Sequence, residues 1–250
     1  RSLSIKRNVI STLLKNGLYP YTACYLTDFD NHFSSIGVIG MNEAGLNAQW
    51  LKAGLESEET KKFAVSVLNH MREKLIGYQM EYGNLYGLEA TPAESATFRF
   101  ARLDRERFSG IRTAGHEGDT PYYTNSTKLP ADYDGTLQGA LINQDSLQPL
   151  YTTGTVFHVY MERELEDWKK ARDLLSSMIT EHHIPCFTLS PVYTICQTCG
   201  YLPGRQERCP KCNGAADVYS RIAGYYRPVH DWNDGKAQEF RNRIMFRIGE

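Results

Sequence analysis

The sequence predicts an α/β protein. Three stretches carry apolar residues at helical spacing, and β-branched and aromatic runs of strand length lie among them. Alternation of these two patterns is expected where helices cover short buried strands.

Residues 3–16 place Leu3, Val9, Ile10, Leu13 and Leu14 at near-helical spacing and stop at Gly17, a residue suited to ending a helix. A longer helix is expected from about Ser57 to Met80, where Ala64, Val67, Leu68, Met71, Leu75 and Tyr78 form one stripe behind an acidic first turn. A third is expected over 162–180, with Leu165, Trp168, Leu175, Met178 and Ile179 on a similar face. All three stripes read as core packing. The stretch between the second and third helices, with "LEATPAESATFRFARLD" and "PYYTNSTKLPADYDG", reads as loop-rich, and long loops in a compact protein often carry function. "TVFHVYM" and "IPCFTLSPVYTIC" read as short buried strands, His158 within the first being a core histidine. There is no internal repeat or low-complexity tract.

A chain of 250 residues, 41% hydrophobic and 23% charged, has the composition of an ordinary globular protein of one or two domains. Its net charge of −1 excludes the overall basic field that drives sequence-independent binding to nucleic acid or anionic membrane. No run of about 18 apolar residues is present to span a bilayer, and "RSLSIKRNVI" lacks the apolar core of a signal peptide, so a cytoplasmic protein is expected. The chain lacks an initiator Met and starts inside an amphipathic pattern, so a piece of a longer protein is expected.

Four of the six cysteines form two CxxC pairs, Cys196/Cys199 and Cys209/Cys212. Each pair can point two thiolates at one ion, and two facing pairs complete a tetrahedral sulfur site, so structural Zn²⁺ is expected ahead of iron or a redox dithiol. Gly200 and Gly214 follow the pairs and supply permissive backbone for the turns.

Behind the second pair, "SRIAGYYRPV" sets Gly224 where a strand or helix would want a side chain to pack. The conformational explanation is a positive φ or a close backbone approach. The run Arg221, Ile222, Ala223, Gly224, Tyr225 also resembles the glycyl-radical motif. With the cysteine pairs upstream, and with "NGLYPYT", "NHFSSIGVIGMNE", "GNLYGLEATPAE", "PYYTNSTKLP", "TGTVFHVY" and "GYYRPVHDWNDGK" in the same order, the chain resembles the C-terminal part of anaerobic (class III) ribonucleoside-triphosphate reductases. A radical at a glycine Cα is stabilised by the adjoining amide nitrogen and carbonyl, and a Cβ would crowd its planar centre.

The resemblance implies part of a ten-stranded α/β barrel, the glycyl radical enzyme fold, over 1–190, a four-cysteine zinc ribbon over 191–216, and a glycyl radical loop and tail over 217–250. It implies anaerobic reduction of ribonucleoside triphosphates to deoxyribonucleotides. An activating enzyme with an iron–sulfur cluster and S-adenosylmethionine would generate the radical on Gly224. That radical would oxidise a cysteine expected upstream of Arg1, since neither Cys24 nor Cys186 sits in a matching segment, and the resulting thiyl would take the ribose 3′-hydrogen. Alone, the chain is expected to be inactive. A homodimer is expected.

By the same resemblance, Thr91, Ala93, Ser95, Ala96 and Thr97 of "ATPAESATF" would bind the triphosphate at a helix N-terminus. Asn125 and Ser126, beside Tyr123 and Thr124, would line the pocket, and Tyr225 and Tyr226 would pack the radical loop. Glu43 of "IGMNEAGLN" is a candidate acid or base. Members thought to use a thioredoxin-like reductant carry Cys where this chain has Gly45, which puts that route in doubt and leaves formate as the other. Two readings of other kinds remain. One is a glycyl radical enzyme of acyltransferase or lyase type, which would share only the RxxGY tail. The other is a non-catalytic zinc-ribbon module, whose ribbon would cluster more basic residues than "YLPGRQER" offers.

Overall fold

In chain order the first elements are α1 (Ser2–Lys15), α2 (Pro20–Ala23), β1 (Ser34–Gly37), α3 (Met41–Asn47), α4 (Glu58–Tyr82), β2 (Tyr86–Glu89), α5 (Glu94–Arg107) and α6 (Leu137–Asp145). They are followed by β3 (Phe157–Met161), α7 (Trp168–Glu181), β4 (Phe187–Pro191), β5 (Tyr193–Cys196), β6 (Gly200–Pro203), β7 (Ala216–Arg221), β8 (Tyr226–Pro228) and α8 (Asp234–Asn242). The structure is a computed structural model and describes residues 1–248.

The stripe of α4 sets the largest core cluster. Ala64, Leu68 and Leu75 are buried with Leu55, Leu88 and Leu147, while Val67 and Met71 pack on the cluster's edge and Tyr78 stays exposed at the rim. Glu58 and Glu59 sit in the first turn, favourably placed against the helix dipole, and Gly83 ends the helix at φ 66°. Near α1, Gly17 likewise takes φ 73°.

β1 pairs in parallel with β2, and β3 in parallel with β4. Parallel neighbours need long crossovers, which α3 with α4 and α7 supply. The bridge between Glu89 and Gly154, with Ala90 N–H donating to Gly154 O at 2.9 Å, links the end of β2 to the segment leading into β3. A third sheet is antiparallel, in the order β6-β5-β7-β8.

Two expectations need correction. The third helix does not begin near 162: the Asp167 carboxylate accepts Lys169 N–H at 2.8 Å and caps a helix that starts at Trp168. Leu165 therefore lies before the helix, and Trp168 and Ile179 are exposed, leaving Met178 as the buried residue of that face. The loop-rich stretch also contains α6, and the helix expected to open at "ATPAESATF" runs on as the full-length α5. α5 is held by α8, whose Gly235 lies so close that a Cβ there would meet the Phe98 Cβ at 2.6 Å. Among the described residues no helix is long and apolar enough to cross a membrane.

Candidate functional site

β7 and β8 form a hairpin whose tip, Ile222–Tyr225, is closed by Ile222 N–H donating to Tyr225 O at 3.0 Å. Gly224 lies exposed in that tip. Arg221 Nη1 donates to Gly224 O at 2.6 Å and Arg221 Nε donates to Ser190 Oγ at 3.1 Å, so one guanidinium anchors the tip to β4. Tyr226 packs under that guanidinium, 4.8 Å from ring centroid to Cζ, and its hydroxyl donates to Pro191 O at 2.9 Å. Tyr225 is instead exposed, its hydroxyl 3.5 Å from a Glu94 carboxylate oxygen at the start of α5. Gly224 is absent from the positive-φ glycines, and a Cβ added to it would meet no heavy atom within 4 Å. Neither backbone conformation nor packing therefore demands glycine here.

Gly224 lines a cavity of ≈ 360 Å³ together with Asn125, Lys128, His158, Arg221 and Glu239. The floor is a charged cluster. The Glu239 carboxylate accepts from Lys236 Nζ and, at 3.0 Å, from Arg243 Nη2. Burial alone would raise the Glu239 pKa, but the two cations hold it below the ordinary range. Lys236, with no exposed surface, also donates to Asn125 Oδ1 at 3.3 Å, while Arg243 donates to Ser220 Oγ and Arg221 O and lies 3.8 Å from the Tyr160 ring centroid. His158 is no ordinary core residue. Its Nδ1 is 2.8 Å from Thr188 Oγ1, its ring faces the cavity, and burial with Lys128 and Arg221 nearby pushes its pKa down to about 3, so it is neutral.

Of the candidates from sequence, Gly224 and Asn125 share this cavity. Glu43 stands behind its wall. Only 1% exposed, it accepts from Thr124 N–H at 3.0 Å, Thr124 Oγ1 at 2.7 Å and Asn42 Nδ2 at 3.1 Å, and Thr124 lines the cavity. Burial raises the Glu43 pKa against the lowering effect of these bonds. Ser126, at φ 51°, points away and donates to Thr91 O at 3.4 Å. Ala93 and Thr97 are buried at the start of α5, with the Thr97 hydroxyl donating to Ala93 O, while Ser95 is exposed and Ala96 half-buried. None of Thr91, Ala93, Ser95, Ala96 or Thr97 lines the cavity, but Ala90 and Pro92 beside them do. The cluster at Lys236, Glu239 and Arg243 escaped the sequence reading, although i, i+3 and i+7 spacing on one helix face was its signal.

The cysteines converge at the opposite end of the antiparallel sheet. The four sulfurs lie within 4.8 Å of one another, Cys196 and Cys212 at 3.6 Å, near the edge of about 3.8 Å that a ZnS₄ tetrahedron requires. Cys199 N–H donates to Cys196 Sγ at 3.4 Å, and Gly200 takes φ 76° as expected. In the second turn the left-handed residue is Asn213, at φ 57°, rather than Gly214. Hydrogen bonding to Cys212 pushes the Cys199 thiol up to about 12, whereas backbone N–H groups, Cys212's first, pull Cys209 down to about 6. Such a donor set suits a thiophilic divalent ion. Cys24 and Cys186 are both exposed and stand apart from it.

A family model described as anaerobic ribonucleoside-triphosphate reductase matches residues 1–246. The chain belongs to that family. It is 25% identical over 222 residues to the anaerobic ribonucleoside-triphosphate reductase of Haemophilus influenzae, which covers 84% of this chain and 31% of the relative. The reductase of Enterobacteria phage T4 is 24% identical over 194 residues, 71% of this chain and 30% of its own length. The chain thus spans under a third of these relatives. Among solved structures, an anaerobic ribonucleotide reductase superposes with a TM-score of 0.77 at 22% identity, over 98% of this chain and 39% of that one. The Thermotoga maritima enzyme in complex with dATP and CTP superposes at 0.74 with 23% identity, over 95% and 38%. The shared fold is that of the glycyl radical enzymes.

Glycine at position 45 is built into the packing. A Cβ at Gly45 would lie 2.4 Å from Ala53 O and 2.4 Å from Thr60 Cγ2, and the buried Thr60 hydroxyl is itself bonded to Ala53 O at 2.8 Å. The segment entering α4 has closed over the place a thiol would occupy. Gly45→Cys should lower stability by about 1–3 kcal/mol in urea unfolding and leave the new thiol slow to react; a neutral, rapidly labelled variant would contradict this. At the ribbon, Cys199→Ser should cost the bound metal, read by elemental analysis, and open the segment after Val192 to protease; retention of one zinc per chain with a resistant tail would contradict a four-thiolate site.

Proposed function

We propose that this chain carries the radical-storing glycine of an anaerobic ribonucleoside-triphosphate reductase, and that the glycine is Gly224. The observation that carries the reading is a glycine at a cavity-lining hairpin tip, inside Arg-x-x-Gly-Tyr, where a side chain would fit. Chemistry then supplies the reason for the residue. Removal of one hydrogen atom from Cα leaves a radical shared with the flanking amide and carbonyl. Exposure of the tip suits approach by an activating enzyme, of the kind that uses S-adenosylmethionine and an iron–sulfur cluster.

In the working cycle the Gly224 radical takes a hydrogen atom from a cysteine thiol, regenerating glycine and leaving a thiyl, which takes the ribose 3′-hydrogen before the 2′-hydroxyl leaves as water. Cys24 and Cys186 do not line the cavity, so the thiol comes from residues other than these. The substrate is a ribonucleoside triphosphate, a class supported by the CTP complex of the Thermotoga maritima neighbour. At the first turn of α5, Ser95 and Ala96 would offer backbone amides to its phosphates, with Thr91, Ala93 and Thr97 shaping the turn, the amides of Thr91 and Ala93 being bonded to Glu89 O and Thr91 O, and Asn125 would border the sugar. Glu43 would exchange a proton with the cavity through the Thr124 hydroxyl. Zn²⁺ on Cys196, Cys199, Cys209 and Cys212 would clamp the sheet: β7 rises about 3.4 Å per residue, which sets the metal about 17 Å or more from Gly224, outside bonding reach of the chemistry. The filled space at Gly45 favours a small reductant such as formate over a thioredoxin-like protein. The working assembly is a homodimer in the cytoplasm.

The decisive test is electron paramagnetic resonance on the protein treated anaerobically with its activating enzyme and S-adenosylmethionine. A doublet that collapses with α-deuterated glycine and vanishes in Gly224→Ala is expected. No doublet, with an activating enzyme shown to be competent, would overturn the assignment.

A further inference from the structure

Two peptide groups flank Gly224, and side chains from the strands beside the hairpin grip both of them. β3 and β4 pair with His158 opposite Thr188 and Tyr160 opposite Ser190, and the two-residue period of a strand puts Thr188 and Ser190 on one face. Their hydroxyls are 2.9 Å apart. Arg221 Nε donates to Ser190 Oγ at 3.1 Å, His158 Nδ1 lies 2.8 Å from Thr188 Oγ1, and the His158 ring also bonds the Ala223 carbonyl. Arg221 Nη1 meanwhile donates to Gly224 O at 2.6 Å. The donors fix the direction of this chain. A guanidinium cannot accept, so Ser190 Oγ, only 1% exposed, accepts from Arg221 and has its own proton left for Thr188 Oγ1. The Thr188 proton is then left for His158 Nδ1, and the neutral imidazole carries its proton on Nε2, the nitrogen free to meet a carbonyl.

We propose that His158, Thr188 and Ser190 are positioning residues for a radical at Gly224: with Arg221 they form a hydrogen-bonded ring that holds both peptide planes flanking its Cα. The inference rests on the radical reading of Gly224. An unpaired electron at Cα is shared with the preceding amide nitrogen and the following carbonyl only while both planes stay coplanar with the centre. The Ala223 carbonyl, bonded by His158, belongs to the first plane, and the Gly224 carbonyl, bonded by Arg221, belongs to the second. The charge on Arg221 also draws electron density into the Gly224 carbonyl, the withdrawing half of the pair. Thr188 and Ser190 touch neither plane; they act by fixing the direction in which His158 and Arg221 donate.

The test pairs two readouts on the complete reductase carrying Thr188→Val, which keeps the branched shape and removes the hydroxyl. In the unactivated protein, hydrogen exchange read by mass spectrometry should speed about 10-fold over the β7–β8 hairpin, the scale of one lost hydrogen bond. After anaerobic activation the electron paramagnetic resonance doublet should widen, because twisting the planes returns spin to Cα. Thr188→Ser should restore both. Exchange and doublet both as in the wild type would overturn the proposal, and so would faster exchange with an unchanged doublet, which would leave the ring an anchor with no influence on the radical. Should Thr188→Val fail to fold, or to take up a radical that the wild type holds, Ser190→Ala cuts the same ring one link away and decides by the same readouts. No doublet in the wild type, with a competent activating enzyme, would instead overturn the radical at Gly224 and the proposal with it, whatever the exchange shows.

Discussion

The Glu239 carboxylate, held between Lys236 and Arg243, joins the parts of the molecule that the site needs. Each cation reaches a different element: Lys236 bonds Asn125 on the cavity wall, and Arg243 bonds the end of β7 while covering Tyr160 of β3. Taking such charges out of water costs several kcal/mol per ion, which is offset only because nearly every donor finds a partner. Removing one member of a buried pair typically costs about 3–5 kcal/mol. Here it would also unmoor the hairpin from β3 beside it.

The antiparallel sheet carries that order outward. Tyr193 of β5 lies against Tyr201 of β6, stacks on Tyr219 of β7 with ring planes 5° apart, and meets Tyr226 of β8 at 5.2 Å. Cross-strand pairs of this kind contribute roughly 0.2–1 kcal/mol each. The row spans all four strands, between the cysteine cluster at one end and the glycine hairpin at the other. A metal at the cysteines would stiffen the base from which the hairpin projects.

What the sequence reveals follows the range of the interactions involved. The cysteine pairs, the long helix and the Arg-x-x-Gly-Tyr run are local patterns, and the cysteines and helix took the form their spacing implies. The start of α7 was obscured because Leu165 continues the apolar rhythm, yet the Asp167 cap outweighs one apolar residue. The start of α5 was legible in "ATPAESATF", but its packing was not, because Phe98 faces Gly235 across more than a hundred residues of chain. Glu43 reads in sequence as either a solvated helix-start carboxylate or a catalytic one; only the fold brings Thr124 to it and removes the water. Lys236, Glu239 and Arg243 share a helical spacing in sequence, but their partners Asn125, Ser220 and Tyr160 are supplied only by the fold.

The central claim is that Gly224 is required by chemistry and not by conformation. The most direct measurement is the unfolding free energy of the unactivated Gly224→Ala protein compared with wild type. With no positive φ and no atom within 4 Å of the new Cβ, the account predicts unchanged stability, or a gain of about 0.4–1 kcal/mol from a stiffer unfolded chain. A loss of more than about 1 kcal/mol, the scale of a misplaced glycine replacement, would show that the backbone itself needs glycine at this position and would remove the argument that sets it apart.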